Sequence, residues 1–159
     1  MKVEFKMTGV DHVLSMLKQL PPAVVGKGGG PVLAALRKGA RVLLAQERIN
    51  LAKSTAGSET TGLLMKSLAV SRGKAPSGSK GERVVVRVRR KTYPGTGKKS
   101  GKKAVTTLTS ANLLEYGSSK QQAEPWIRPA FATRREEAAR AIETTLVKRV
   151  TALAKKFLR

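Results

Sequence analysis

The chain has 159 residues, of which 40% are apolar and none is cysteine. This composition predicts one domain with a modest core and excludes disulfides, thiolate metal sites and cysteine nucleophiles. The 32 Lys and Arg against 10 Asp and Glu give a formal charge of +22, which attracts polyanions such as nucleic acid, an anionic membrane or an acidic protein. A solvated basic surface that only confers solubility is the alternative.

The first predicted elements are a short strand and a short helix. Val3, Phe5 and Met7 alternate with polar residues, which is the period of a half-buried strand. Apolar residues between positions 10 and 17 follow helical spacing, and Pro21 ends that helix. The segment lacks the uninterrupted apolar core of a signal peptide, and no run approaches the roughly 20 apolar residues of a membrane helix. We therefore expect a protein made and used without export, with no membrane span.

A longer helix is predicted from Pro31, a residue that suits the first turn, to about Ala52. Its predicted core-facing residues are Val32, Leu36, Leu43 and Ile49. Its predicted basic outer face consists of Arg37, Lys38, Arg41 and Arg48. A helical turn capped by Thr60 or Thr61 follows, with buried contacts from Leu63, Leu64 and Leu68.

The middle of the chain predicts a basic strand and loop. Residues 71–82 have the Gly, Ser and Pro content of a loop or hairpin tip. In the strand that follows, alternation places Val84, Val86 and Val88 on one face and Arg83, Val85, Arg87 and Arg89 on the other. Residues 91–103 contain no acidic residue and predict a mobile basic loop, after which residues 104–109 are expected to return as a partner strand.

This basic segment is the candidate surface for nucleic acid. Phosphate contacts are expected from Arg83, Arg87, Arg89, Arg90, Lys91, Lys98, Lys99, Lys102 and Lys103. Only Tyr93 is present to stack on a base, so binding should be independent of sequence and sensitive to salt. A solvated hairpin whose charges protect a sheet edge is the equally weighted alternative.

The last predicted element is a long helix opened by Pro129. Its predicted apolar stripe consists of Phe131, Ala138, Ile142, Leu146, Val150, Leu153 and Phe157. Its basic face consists of Arg134, Arg135, Arg140, Lys148 and Lys155. Together the elements predict an α+β fold, with a small antiparallel sheet packed with the long C-terminal helix and N-terminal helices, and an extended basic hairpin.

Residues with enzymatic chemistry are sparse. The single histidine, His12, stands beside Asp11 without further ligands and is interpreted as a surface residue. The segment GTGKKS departs from a phosphate-binding loop at Thr92 and Lys99. Glu136 and Glu137, near the start of the last helix, could act as an acid–base pair, but negative side chains there are explained by the favourable interaction with the helix dipole. We therefore predict no enzymatic activity, no metal and no cofactor.

Three motifs resemble the tail-completion or neck protein family of long-tailed bacteriophages. They are Thr61-Gly62-x-Leu64, Glu115-Tyr116-Gly117 and Pro125-Trp126-Ile127-Arg128-Pro129-Ala130. The opening VEFKMTGVDHVLSMLKQLP and the stretch ETTGLLMKSLAV are similar to the family's first strand and helix and to a Thr-Gly-x-Leu segment followed by a strand. The similarity covers nearly the whole chain in order, and the segment Tyr93–Lys103 departs from the compact form of the pattern.

The resemblance implies a virion protein, made in the bacterial cytoplasm, that forms a ring, commonly of six, at the head–tail junction. Its implied partners are other copies of itself, the head-completion or stopper protein, the tail terminator, the tail tube and the DNA in the channel. The subunit-interface residues that we predict on this basis are Glu115, Tyr116, Gly117, Pro125, Trp126, Ile127, Arg128 and Pro129. A purely intramolecular Trp126 is the alternative to its interface role, and a free nucleic-acid-binding protein is the alternative function.

Overall fold

The structure is a computed structural model that describes residues 30–56, 62–74, 77, 81–96 and 104–157. The described residues form four helices and one two-stranded antiparallel sheet, so the predicted α+β class is confirmed. The predicted first strand, the first helix, His12 and the residues Lys98, Lys99, Lys102 and Lys103 lie outside the described residues. None of the described helices is long and apolar enough to cross a membrane.

Helix α1 (Pro31–Ser54) begins at the predicted proline and ends two residues beyond the predicted boundary. At its end, the backbone N–H and the hydroxyl of Thr55 both donate to the carbonyl oxygen of Leu51, at 3.0 and 2.8 Å. These bonds satisfy a carbonyl group that the helix leaves without a partner.

The predicted core stripe of α1 is wrong except at Val32, which packs against the cluster of Ala35, Leu146 and Val150. Ile49 is 49% exposed, and Val32, Leu36 and Leu43 are only partly buried. The buried residues are Pro31, Leu33, Ala35, Gly39, Ala40, Glu47 and Leu51. Helix α1 packs on the sheet along one side and on the C-terminal helix along another, so its buried positions form two rows rather than one stripe. The predicted basic outer face is exposed as expected.

A short helix and a hairpin follow α1. Helix α2 (Leu63–Ser67) begins after Gly62, which has φ +65°, and buries Leu64. Strand β1 (Leu68–Gly73) pairs with β2 (Arg83–Val88) in a register that joins Leu68 to Val88 and Gly73 to Arg83. The predicted loop over residues 71–82 therefore starts too early, because its first three residues continue β1. The main contact of the sheet is with α1 and not with the C-terminal helix.

The prediction that residues 104–109 form a partner strand is also wrong. Only Thr106 makes a strand-like bridge, to Thr92, and helix α3 (Thr107–Tyr116) begins immediately after it. The hydroxyl of Thr106 accepts a hydrogen bond from the backbone N–H of Thr109 at 3.3 Å. This side-chain cap favours the helix over a continued strand.

Helix α4 (Ile127–Phe157) runs antiparallel to α1, since Ala35 packs near Val150 and Asn50 bonds to the residue before Ile127. This is the most extensive packing between the described elements. Ala138, Leu146 and Val150 from the predicted stripe are buried, whereas Phe131 is 43% exposed. One core cluster joins Ala35 of α1 to Leu146 and Val150. A second cluster joins the sheet to the helices through Leu51, Leu64, Leu68, Ala111 and Trp126.

Candidate functional site

The residues between α3 and α4 form a sharp corner, which we define as residues 115–129. Gly117 has φ +73° and ψ −171°, a conformation that is essentially restricted to glycine. A Cβ atom on Gly117 would lie 2.8 Å from the backbone nitrogen of Ala123 and 2.9 Å from the carbonyl oxygen of Gln121. Gly117 therefore allows the chain to leave α3 and return close to itself.

Glu115 connects the end of α3 to the first turn of α4. Its Oε2 accepts hydrogen bonds from the backbone N–H groups of Trp126 and Ile127, each at 2.8 Å. Its Oε1 accepts from the backbone N–H and the Nε of Arg128, at 3.2 and 2.9 Å. The first N–H groups of a helix have no partner within the helix, and the helix dipole favours a negative charge there. A residue 11 to 13 positions earlier in the chain therefore acts as the N-terminal cap of α4.

The two buried carboxylates near the corner differ in their protonation. Burial alone raises the pKa of Glu115, but the hydrogen bonds from Ile127, Trp126 and Arg128 outweigh it and lower that pKa below its ordinary value. Glu47 of α1 is buried as well, and burial together with the charge of Glu115 raises its pKa to about 7. In the described part of the chain, no Lys or Arg pairs with Glu47. Glu115 is therefore ionised at neutral pH, where Glu47 is about half protonated.

Trp126 anchors the corner in the core. Its side chain is fully buried in the cluster with Leu51, Leu64 and Leu68, and its carbonyl oxygen accepts a hydrogen bond from the Nδ2 of Asn50 at 3.0 Å. The indole therefore presents no surface to a neighbouring subunit in this conformation, which favours the intramolecular alternative for Trp126. The side chain of Glu115, another predicted interface residue, is also buried.

The remaining predicted interface residues lie at the surface or near it. Tyr116 is 69% exposed, and the guanidinium of Arg128 lies 5.1 Å from the centroid of its ring, a distance typical of a cation–π contact. Pro125, Ile127 and Pro129 are exposed, and Gly117 is partly buried. Leu113, in the last turn of α3, and Phe131, in the second turn of α4, are also exposed. We define the corner patch as Tyr116, Ile127 and Arg128.

The basic residues of the second predicted site are also exposed where the structure describes them. They are Arg83, Arg87, Arg89, Arg90 and Lys91. All five lie on β2 or on the extended segment that follows it, which is held by bonds from the N–H of Arg89 to Ser67 O and from the N–H of Thr107 to Lys91 O. These five cations therefore lie on β2 and on the three residues directly after it.

A groove of about 740 Å³ lies between α2, α3 and the end of α1. Its lining is mainly apolar and includes Leu51, Leu64, Met65, Tyr93, Leu113 and Leu114. The described lining residues supply no carboxylate and no imidazole, and the described residues contain no group of three or more His, Asp or Glu suited to a metal ion. The described part of this groove can bind apolar groups, but it supplies no acid–base pair.

Sequence reasoning missed the role of three residues on α1. Glu47 is buried, and a chain of hydrogen bonds runs from Arg134 to Gln46, from Gln46 to Asn50 and from Asn50 to the carbonyl of Trp126. The spacing of Gln46 and Asn50, four residues apart, was the available signal that they share a helix face.

Comparison of the chain with protein-family models, with curated protein sequences and with solved structures finds no match.

Proposed function

We propose that this protein is a non-enzymatic structural subunit of a tailed bacteriophage virion. In this proposal it forms a ring, of about six copies by analogy with the resembled family, at the head–tail junction or tail end, and completes the tail or joins it to the head. A closed ring needs one surface of the subunit that recognises a different surface of the next copy. The subunit does not require catalytic residues for this role.

The observation that supports the proposal is the construction of the corner. The motif residues Glu115, Gly117, Trp126 and Arg128, which carry the resemblance, contact one another or the same short loop. Their hydrogen bonds hold α4 at a defined angle to α3 and leave Tyr116 and Ile127 exposed. A rigid corner with exposed apolar and cationic groups suits a subunit boundary, because interfaces are enriched in aromatic residues and arginine.

The position of the chain in a virus particle tests the proposal directly. Cryo-EM of intact virions or purified tails of the virus that encodes this chain should locate it as a ring at the head–tail junction or tail end. Absence of the chain from the particle would contradict the proposal.

A matched pair of substitutions on α4 tests the role of the corner patch. Ile127 and Val147 are aliphatic residues of the same helix with exposures of 37% and 36%, and only Ile127 lies at the corner. We expect Ile127→Ser to reduce incorporation of the protein into particles at least tenfold, and Val147→Ser to leave incorporation unchanged. Equal incorporation of both variants, with unchanged thermal unfolding, would remove the corner patch from the interface.

The basic segment on and after β2 supports one alternative, a free nucleic-acid-binding protein. This alternative predicts a monomer or dimer that binds nucleic acid tightly at low salt, whereas a neck protein functions as a ring in the particle. Particle location separates the two, because only the structural subunit is expected to form an ordered ring at the head–tail junction or tail end.

A further inference from the structure

The hairpin of β1 and β2 has one face against the core and an opposite face that carries exposed arginines. On that opposite face Ala69, Ser71 and Val85 are partly buried, and the Oγ of Ser71 is fully buried. Leu68 and Val88, paired in the register, pack on the core cluster that contains Leu51 and Trp126. Side chains of a strand alternate between the two faces, so Arg83 and Arg87 point away from this core, and both are exposed. Arg89 continues the same face, because its N–H donates to Ser67 O and extends the pairing by one residue. We define the arginine ribbon as Arg83, Arg87 and Arg89, the exposed arginines of this face.

Small residues of β1 lie across from the arginines. Ala69 is the register partner of Arg87, and Gly73 is the partner of Arg83. A Cβ on Gly73 would lie 3.2 Å from the Cγ and Cδ of Arg83, so the aliphatic part of Arg83 crosses over the glycine. The neighbouring strand therefore raises no bulky side chain that would separate the guanidinium groups from a large ligand.

No carboxylate neutralises the ribbon from its own two strands, since residues 68–73 and 83–91 contain no Asp or Glu. The nearest carboxylate in sequence, Glu82, pairs with Arg72, and both belong by alternation to the face opposite the arginines. Three other described carboxylates are in ion pairs, Glu115 with Arg128, Glu137 with Arg134 and Glu136 with Arg140. Glu47, Glu124 and Glu143 form no salt bridge to a described cation. Within the described residues, Arg83, Arg87 and Arg89 form no salt bridge, which leaves their charge for an external anion.

We infer that the arginine ribbon is a phosphate-contacting site for duplex DNA, with the two strands lying in the major groove. A major groove about 12 Å wide admits a two-stranded ribbon, whose strands are about 4.8 Å apart. Arg83 and Arg87 are separated by four residues, or about 13 Å at about 3.3 Å per residue, so they reach different phosphates. The site does not depend on ring formation and is present in the isolated chain.

Other polyanions fit the ribbon less well. The major groove of double-stranded RNA is too narrow for side chains to read, and the ribbon carries no aromatic residue for stacking on single strands. An acidic protein usually meets an interface with buried apolar anchors, whereas Val85 and Ala69 are the only apolar residues between the arginines. Duplex DNA is therefore the ligand that the shape and the charge favour together.

The test compares two triple variants that remove the same charge. Arg83→Gln, Arg87→Gln and Arg89→Gln alter the ribbon, and Arg37→Gln, Arg41→Gln and Arg48→Gln alter the exposed face of α1 as the control. Binding of each protein to a short fluorescent DNA duplex is measured by anisotropy between about 50 and 200 mM salt. Thermal unfolding of each variant is measured in parallel.

We expect the ribbon variant to bind about tenfold or more weakly at the lowest salt. Its slope of log affinity against log salt should become less steep by about 3, because each lost phosphate contact removes about 0.9. The control should lose less than about threefold, because long-range charge alone is screened within about 10 Å at 0.1 M salt. A third variant, with lysine at positions 83, 87 and 89, should recover most of the affinity and so separates charge from folding.

Several results would overturn the inference. They are absence of duplex binding by the unmodified protein, equal losses in the ribbon and control variants, and a lysine variant as weak as the glutamine variant. Binding of double-stranded RNA or poly-glutamate with the same affinity and the same dependence on the ribbon would assign the surface to another class of polyanion.

Discussion

Glu115 and Arg128 are joined by three hydrogen bonds, although they lie on different helices. The carboxylate of Glu115 accepts from the backbone N–H and the Nε of Arg128, and the backbone carbonyl of Glu115 accepts from Nη2 at 3.0 Å. The same guanidinium stacks over Tyr116. One residue at the end of α3 therefore determines where α4 begins and how the side chains at the corner are presented.

Glu115→Ala should lower the free energy of unfolding by about 3 kcal/mol, because it leaves the N–H groups of Trp126, Ile127 and Arg128 without their acceptor. Urea denaturation followed by the fluorescence of the single tryptophan measures this change. Glu136→Ala is the control, since Glu136 is exposed and its contact with Arg140 is 3.7 Å long; we expect a loss of at most about 0.5 kcal/mol. A loss below about 1 kcal/mol for Glu115→Ala would contradict its capping role.

Gly117→Ala should cost about 2–4 kcal/mol. The backbone conformation at Gly117 is disfavoured for other residues, and the new Cβ would contact backbone atoms at 2.8 and 2.9 Å. Gly95→Ala is the matched control, because Gly95 also has positive φ, +76°, but a Cβ there has no atom within 4 Å. We expect about 1 kcal/mol for the control, and similar losses for the two variants would show that the close approach at Gly117 contributes nothing.

Gly39→Ala should destabilise the protein although alanine favours helices. Gly39 lies where α1 crosses α4, and a Cβ there would overlap the Cγ1 of Ile142 and lie 2.8 Å from the carbonyl oxygen of Ala138. Overpacking costs about 1–3 kcal/mol and exceeds the helix-propensity gain of about 1 kcal/mol. Ala45→Gly on the exposed face of α1 calibrates that gain in the same helix. A Gly39→Ala protein that is more stable than the unmodified one, by the gain that Ala45→Gly measures, would mean that the α1–α4 contact accommodates the methyl group without cost.

The raised pKa of Glu47 predicts that stability decreases as the pH rises from 4.5, its ordinary value, to about 7. In this interval the folded state binds the proton more strongly than the unfolded state, so folding is favoured at the acid end and loses up to about 3 kcal/mol by the neutral end. Glu47→Gln removes this loss, and we expect it to be more stable than the unmodified protein at pH 8 and about equal at pH 4.5.

Urea denaturation of both proteins across this pH range checks the prediction for Glu47. Glu115 acts in the opposite direction, because its pKa is lowered; its contribution is present above its ordinary pKa and is lost as the pH falls through its value in the folded state. Both proteins should therefore lose stability in acid. Parallel profiles of the two proteins between pH 4.5 and about 7 would contradict the assignment to Glu47.

The amino-acid sequence by itself predicted the features that depend on local chemistry. Pro31 marked the first residue of α1, and the alternation of valine and arginine marked β2 and its exposed basic face. These features are readable because backbone restriction and side-chain period act over a few residues. The segment from Glu115 to Pro129 was singled out by its motif residues, but the contacts within it could not be predicted.

The tertiary structure decided what lies on each side of an element. Helix α1 is covered on two sides, so its buried positions differ from the stripe that one-sided packing predicts, and Ile49 is exposed while Glu47 is buried. The cap of α4 comes from Glu115 on another helix. The residues predicted to form a partner strand instead lead into α3, a helix capped by Thr106. Burial and the satisfaction of backbone groups depend on residues distant in sequence, and local patterns carry no information about which distant residues meet.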